Sequence, residues 1–259
     1  MAPFDAWIQS LETRHLSDLR FQEVSRALRA LSSTYIERRG SIHHGAALAG
    51  AGKRAAFALF YGPLHYLIVA EIVTQLDGRG RQPRALVDLG CGTGAAGAAW
   101  VACASLRPVT AIDRNPWPLA EAERTYRQFD VPVRTRQGDM TTAPWPARAA
   151  ILAAFSVNEL AADGRERLLR RFLERAARGD TILVVEPIAR SVAPWWPEWQ
   201  AAFAAAGGRA DEWRFRPILP EIVAKLDRAA GLDHRELSAR SLWIAGMEDP
   251  PSGGPAKSP

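Results

Sequence analysis

The sequence predicts an α/β fold, with a doubly wound, mostly parallel sheet preceded by a helical cap. From Arg84 onward, short apolar runs alternate with helical patterns, as in sheets whose parallel strands are joined by right-handed helical crossovers. A glycine-rich turn at residues 90–94 separates the first apolar run from the first helix that follows it. Before residue 80, apolar residues recur at helical spacing.

The N-terminal cap, residues 1–80, is predicted to contain two helical blocks. In the first, residues 4–39, leucines and valines recur at roughly helical spacing with charges between them. The second runs from Lys53 to Leu76. Within it, Gly62-Pro63 predicts a break or kink, because proline cannot continue the helical hydrogen-bond ladder.

The second region, residues 81–247, is predicted to hold the sheet. Its strands are expected at residues 84–89, 108–113, 131–136, 149–156 and 180–186. Its helices are expected at residues 94–106, 116–129, 163–178 and 219–231. Two short runs at 234–240 and 241–246 favour a closing antiparallel pair. The tail, residues 248–259, is rich in proline, glycine and serine and is predicted to be disordered.

The composition is that of a cytoplasmic globular protein. No basic N-terminal segment leads into an apolar one, and no run approaches about 18 apolar residues, so no membrane partner is expected. Cys91 and Cys103 are the only cysteines, which favours reduced thiols, and no metal site is predicted. The net charge of +5 is modest, although the abundant arginine suits phosphate contacts. The oligomeric state is left open.

The most informative segment is the turn Asp88-Leu89-Gly90-Cys91-Gly92-Thr93-Gly94. Its three glycines at alternate positions remove Cβ atoms where a ligand lies against the backbone. The turn also directs the first free N–H groups of the helix toward that ligand. We therefore predict a nucleotide-like ligand at this turn.

A second carboxylate stands at the tip of the second predicted strand. Asp113 lies 25 residues after Asp88, where a carboxylate accepts hydrogen bonds from ribose hydroxyls. That position alone also suits a dinucleotide. The usual dinucleotide fingerprint is G-x-G-x-x-G, whereas here the run is D-L-G-C-G-T-G, in which one residue separates an acid from the first glycine.

This run resembles motif I, D/E-x-G-x-G-x-G, of the class I S-adenosylmethionine-dependent methyltransferases. Gly138-Asp139 after the third predicted strand also resembles a feature of that family. The resemblance covers about residues 84–246 and implies a Rossmann-like sheet of seven strands, the last of them antiparallel. It implies a methyltransferase that uses S-adenosylmethionine.

The resemblance also implies which residues bind the cofactor. Asp113 would bind the ribose hydroxyls, and Asp139 with Met140 would hold the adenine. Asp88 would orient the turn or meet the amino group of the ligand. Arg114 either lines the adenosine pocket or is solvated. The full set of expected cofactor-binding residues is Asp88, Gly90, Cys91, Gly92, Gly94, Asp113, Arg114, Asp139, Met140 and Ser156.

Four residues are candidates for the chemistry of methyl transfer. Asn158 and Glu159 follow the fourth predicted strand, whose carboxyl end faces the ligand crevice. Alternatively they cap the helix that starts near residue 163. Tyr61 and His65 are four residues apart and share one helical face, where they line the site or only pack between helices. In-line approach of the acceptor supplies much of the acceleration, with or without a general base.

A cluster of tryptophans, Trp195, Trp196 and Trp199, has two interpretations. It forms a lid or a stacking platform for a planar substrate, or it anchors the core.

A narrower resemblance concerns the methyltransferase-like assembly proteins of the small ribosomal subunit. It rests on the segment Tyr35 to Arg39 and on Asn158-Glu159-Leu160. This chain lacks the cysteine cluster that several members carry. Three hypotheses remain for the acceptor: ribosomal RNA or another ribosomal component, a small molecule, or no acceptor at all in a non-catalytic assembly factor.

Overall fold

A computed structural model describes residues 2–37, 48–76, 83, 85–104, 106–189 and 193–246. Seven strands form one sheet in the order β3-β2-β1-β4-β5-β7-β6. They are β1 Leu86–Leu89, β2 Val109–Asp113, β3 Val133–Gln137, β4 Ala150–Ala154, β5 Thr181–Glu186, β6 Arg209–Phe215 and β7 Leu237–Ile244. The helices are α1 Pro3–His15, α2 Phe21–Glu37, α3 Ala51–Leu76, α4 Ala95–Ala104, α5 Pro116–Gln128, α6 Ala162–Ala176, α7 Trp196–Ala205 and α8 Glu221–Ala230.

The first five strands are parallel, and β7 is antiparallel to both β5 and β6. Every residue of β1, β4 and β5 is buried, as expected of central strands covered by helices on both faces. The cap, α4, α5 and α8 pack on one face, whereas α6 and α7 pack on the other. The predicted doubly wound sheet of seven strands is confirmed.

The predicted C-terminal hairpin is wrong. Residues 237–244 form the single strand β7, and its antiparallel partner is β6. The strand β6 was not predicted because its sequence, RADEWRF, has no apolar run. It lies at the edge of the sheet, where partly exposed and exposed residues alternate, and edge strands tolerate charged side chains well.

The predicted break at Gly62-Pro63 is also wrong, since α3 continues through it. A π-helical turn, Phe57–Tyr61, comes directly before the proline, and Gly62 N–H donates to the carbonyl of Phe57, five residues back. A π turn shifts the hydrogen-bond ladder by one residue. Pro63 has no N–H to donate and its ring crowds the preceding turn, and this shift lets the helix accommodate it.

Helix α3 has 26 residues, and its most apolar window of 18 residues has a mean hydropathy of 1.6, so it is long and apolar enough to cross a membrane. However, 72% of its most apolar window is buried inside the fold. Side chains of α3 such as Leu59 and Ile72 share one hydrophobic core with Leu86 of β1. The helix thus has the surroundings of a core helix, and it joins the cap to the sheet.

Two predictions lie outside the described residues. They concern the tail at residues 248–259 and most of the segment from Tyr35 to Arg39, of which only the helical backbone up to Glu37 is described.

Candidate functional site

The glycine turn after β1 has a backbone that only glycine adopts easily. The φ angles of Gly90, Gly92 and Gly94 are 62°, 52° and 75°, in the left-handed region. A Cβ atom on Gly90 would lie 2.6 Å from the Cβ of Ser156, whereas one on Gly92 would meet nothing within 4 Å. Gly90 therefore allows close packing, and Gly92 keeps open the space where a ligand lies.

Asp113, at the tip of β2, ties this turn to α5. Its Oδ2 accepts the N–H of Gly92 at 3.0 Å, and its Oδ1 accepts the N–H of Asn115 at 2.8 Å. Asn115 in turn caps α5 by accepting the N–H of Trp117. The carboxylate is thus fixed at the carboxyl edge of the sheet, beside the open space at Gly92.

Asp88 is almost completely buried, and its Oδ2 accepts a hydrogen bond of 2.6 Å from the hydroxyl of Tyr126 on α5. Burial, together with the nearby charge of Asp113, raises the pKa of Asp88 to about 7 against the opposing effect of the Tyr126 hydrogen bond. A Cβ on Gly97 of α4 would lie 1.9 Å from the Tyr126 hydroxyl. Neither Tyr126 nor Gly97 was predicted, although a lone glycine inside a helical pattern signals close approach.

Arg114 and Asp139 form an ion pair beside Asp113. Nη2 of Arg114 donates to Oδ2 of Asp139 at 2.5 Å, and the N–H of Thr141 donates to Oδ1 at 2.7 Å. Partial burial opposes ionisation, but the bonds from Thr141 and the Arg114 charge outweigh it and lower the pKa of Asp139. Met140 is buried, with its sulfur near Gly90. The segment after β3 thus presents a carboxylate and a thioether at one end of the cleft.

A second part of the cleft lining is aromatic. The His65 ring stacks on Phe155, with centroids 4.0 Å apart and planes at 14°, and it meets the edge of Phe57 at 6.1 Å. Phe155 follows β4 and has a φ of 57°, a strained value for a bulky residue. Its N–H donates to Val185 of the neighbouring strand at 2.8 Å. The fold therefore holds a strained residue in place to support His65.

Tyr61 lies one turn from His65, and their ring centroids are 6.3 Å apart. The π-helical turn carries both Phe57 and Tyr61. Burial raises the pKa of Tyr61 to about 12, and a hydrogen bond with Ser32 only partly offsets this. Tyr61 is therefore a neutral phenol at physiological pH and packs behind the cleft.

Asn158 has a bridging position instead of a place in the cleft. Its Nδ2 donates to Oε2 of Glu186 at 2.5 Å, and its Oδ1 accepts the indole N–H of Trp195 at 2.9 Å. Glu186 also accepts the N–H of Val157 at 2.9 Å, and burial raises the pKa of Glu186 to about 8. Both ends of the Asn158 carboxamide thus bind groups outside the cleft, and its catalytic role stays a prediction.

Glu159, next to Asn158, does line the cleft. The alternative that these residues cap the next helix is wrong, because the cap residue of α6 is Ala161, without a side-chain hydrogen bond. Trp195, Trp196 and Trp199 are buried in the core between the sheet, α6 and α7. Their interpretation as core anchors is confirmed.

Of the predicted site residues, the structure brings ten into the lining of one cleft: His65, Asp88, Gly90, Cys91, Gly92, Asp113, Arg114, Met140, Ser156 and Glu159. Four others, Tyr61, Gly94, Asp139 and Asn158, stand next to it without lining it. Sequence reasoning missed Leu48, Phe57, Pro118, Phe155 and Leu160, apolar residues of types that occur throughout the core. Among the described residues, no group of three or more His, Cys, Asp or Glu side chains could hold a metal ion.

Residues 86–179 match a family model described as a methyltransferase domain. A putative O-methyltransferase from Nostoc punctiforme is 13% identical over 85% of this chain and 69% of its own, with a TM-score of 0.53. An O-methyltransferase family protein from Burkholderia thailandensis is 14% identical over 95% of this chain and 72% of its own, with a TM-score of 0.51. At such identities the structures show a shared fold. No curated protein sequence gives a significant match.

Proposed function

We propose that the chain is a class I S-adenosylmethionine-dependent methyltransferase, which the matching methyltransferase domain supports, and that it methylates an oxygen or nitrogen atom of a small, largely apolar molecule. The observation that supports this acceptor is the part of the cleft lining that comes from Leu48, from α3 and from the residues after β4. The described residues there are mostly aromatic or aliphatic: Leu48, Phe57, His65, Phe155, Glu159 and Leu160. Such a lining suits a small organic ligand.

The cleft also has little positive charge for a nucleic-acid backbone. Among the described lining residues, Arg114 is the only arginine or lysine, and it is paired with Asp139. An RNA acceptor requires cations that neutralise several phosphates. This favours a small molecule over RNA.

The residues on the cofactor side fit S-adenosylmethionine. The open space at Gly92, bordered by the Asp113 carboxylate, suits the ribose. Tyr126 occupies one oxygen of Asp88, so the other is available for the amino group of the ligand. Met140, with Asp139 behind it, suits the adenine. When bound, the cofactor supplies an electrophilic methyl group on a positively charged sulfur.

On the acceptor side, we assign to His65 the removal of the acceptor proton. Its ring is oriented by Phe155 on one face and by Phe57 at its edge, and imidazole is the most common general base in enzymes. Glu159 lies in the same part of the cleft and is the second polar group available to orient the acceptor.

The test is transfer of a labelled methyl group from S-adenosylmethionine into small-molecule, RNA and protein fractions. Label in the small-molecule fraction is expected. A His65→Phe variant keeps a ring that stacks on Phe155 but has no proton acceptor. Its turnover should fall by about 10²- to 10³-fold while its affinity for S-adenosylmethionine is unchanged. Label confined to RNA or protein would overturn the proposed acceptor.

An RNA acceptor is the second candidate, and one observation favours it. Arg134 and Arg136 are exposed on the edge strand β3, whose end lies beside Arg114 at the cleft. If they bind phosphates, RNA affinity should fall steeply with salt, and replacing both by alanine should reduce the slope by about 1.5. The comparisons do not support the ribosomal assembly family.

A further inference from the structure

Helix α6 presents three arginines, spaced four residues apart, to the segment that follows β3. We call Arg167, Arg171 and Arg175 the arginine ladder. Arg171 donates from Nη1 to the carbonyl of Thr141 at 2.5 Å and from Nη2 to that of Ala143 at 2.8 Å. Arg167 donates to the hydroxyl of Thr141 at 3.3 Å, and Arg175 donates to the carbonyl of Pro146.

An aromatic ring completes this arrangement. The guanidinium of Arg171 lies 3.7 Å from the ring centroid of Trp145, and that of Arg175 lies 6.0 Å from it. Carbonyl groups outside strands and helices need donors from elsewhere in the protein. Arg171 provides these donors and also stacks on Trp145, so it fixes both the orientation of the segment and its distance from α6.

The same segment carries the residues assigned to the adenine. The N–H of Thr141 donates to Asp139 at 2.7 Å, while the carbonyl of Thr141 is held by Arg171 on the other side. Met140, between them, lines the cleft, whereas Arg171 does not. Arg171 thus contacts the segment from its far side.

We propose that Arg171 is a positioning residue for the cofactor base: it holds the carbonyls of Thr141 and Ala143 and thereby fixes Asp139 and Met140 against the adenine. The inference rests on the proposed function, because it takes this end of the cleft as the adenine site. It follows that Arg171 controls selectivity for a 6-amino purine without touching the ligand.

A lysine at this position is not equivalent. The planar guanidinium reaches two carbonyls at once and stacks on an indole, whereas an ammonium is a point charge on a flexible stem. Arg171→Lys therefore keeps the charge but loses the fixed geometry. Arg170, which directly precedes Arg171 on α6, is exposed. Its replacement by alanine is a matched control for the loss of one positive charge.

The experiment is calorimetric titration with S-adenosylhomocysteine and with S-inosylhomocysteine, whose base has an oxo group at position 6. Wild-type protein should prefer the adenine compound by about tenfold or more, because the oxo group turns a donor into an acceptor opposite Asp139. In Arg171→Lys and Arg171→Ala this preference should fall to about twofold or less, mainly through weaker binding of the adenine compound. Arg170→Ala should keep the wild-type ratio.

The ratio of two affinities does not depend on the fraction of folded protein, and the lysine variant covers the case in which the alanine variant fails to fold. An unchanged ratio in the lysine variant, or no preference in the wild-type protein, would overturn the inference. If the wild-type protein bound neither compound, the proposed function itself would fail. Those two failures are therefore distinguishable.

Discussion

The two sides of the cleft are built in different ways. The cofactor side consists of backbone turns and strand tips: the glycine turn after β1, Asp113 after β2 and the segment after β3. The acceptor side consists of side chains from parts of the chain that are far apart in sequence, such as Phe57 and His65 of α3 and Phe155 after β4. A cofactor that a whole family shares requires the same backbone geometry in every member, whereas the acceptor of one member is fitted by the side chains of that member.

Each side of the cleft is also supported by a buried carboxylate. Asp88 lies beside the glycine turn, and Glu186 binds Val157 and Asn158 in the segment after β4. The pH dependence of stability tests this common feature. Their pKa values are raised to about 7 and about 8, so between about pH 4 and pH 8 the native state binds more protons than the unfolded state. Stability should therefore fall as pH rises through this window, by on the order of 6 kcal/mol between pH 5 and pH 8. Chemical unfolding at several pH values measures it.

Asp88→Asn and Glu186→Gln separate the two contributions to that slope. Each variant should have a flatter pH dependence than the wild-type protein. A free energy of unfolding that rises from pH 5 to pH 8 would contradict the assignment.

Alanine substitutions at two glycines of the same turn should distinguish an effect on packing from an effect on ligand binding. Gly90→Ala places a Cβ 2.6 Å from that of Ser156 at a φ of 62° and should destabilise the fold by about 3 kcal/mol. Gly92→Ala meets no protein atom within 4 Å. It should cost only about 1 kcal/mol of stability but weaken cofactor binding, because its methyl group projects into the cleft. Thermal unfolding and calorimetry with S-adenosylmethionine distinguish them, and equal stability losses would refute the division of roles.

Asp113→Ala removes the carboxylate that joins the turn to α5. Loss of its two hydrogen bonds and of the ribose contact should weaken S-adenosylmethionine binding by about 2 kcal/mol, or roughly 30-fold. Glu123→Ala on α5, which removes only an exposed ion pair with Arg127, is the control and should have no measurable effect. Similar affinities for the two variants would show that the turn needs no carboxylate.

Gly97→Ala should reverse the usual effect of this substitution. In a helix interior, alanine normally stabilises by up to about 1 kcal/mol relative to glycine. Here the new Cβ would lie 1.9 Å from the Tyr126 hydroxyl, so the buried bond to Asp88 is lost and stability should fall by about 1–2 kcal/mol.

Gly164→Ala in α6, whose nearest contact would be an ordinary 3.6 Å, is the matched control and should be neutral or stabilising. A gain of stability in the Gly97 variant would show that Tyr126 moves aside freely.

The contrast between the two sides of the cleft also explains which parts of the fold and the site could be predicted from the sequence. The glycine turn, Asp113 and the alternation of strands and helices depend on neighbouring residues, so their patterns are visible in the sequence. The hydrogen bond between Asp88 and Tyr126 joins residues 38 apart, and that between Arg171 and Thr141 joins residues 30 apart. No local pattern marks such pairs. The position of Asn158 after β4 is visible in the sequence, but its bonds to Glu186 and Trp195 are not.

The π-helical turn in α3 acts as a one-residue insertion in an otherwise regular helix. Removing one residue between Phe57 and Tyr61 would restore a continuous α-helix, and the helix before and after the turn would keep its orientation because the wide turn absorbs the extra residue. Only the residues of the turn, Phe57 among them, would be repositioned, while His65 and the whole glycine turn would keep their places. A single-codon deletion or insertion here thus offers evolution, or an engineer, a way to reshape the acceptor pocket while the cofactor machinery is inherited unchanged.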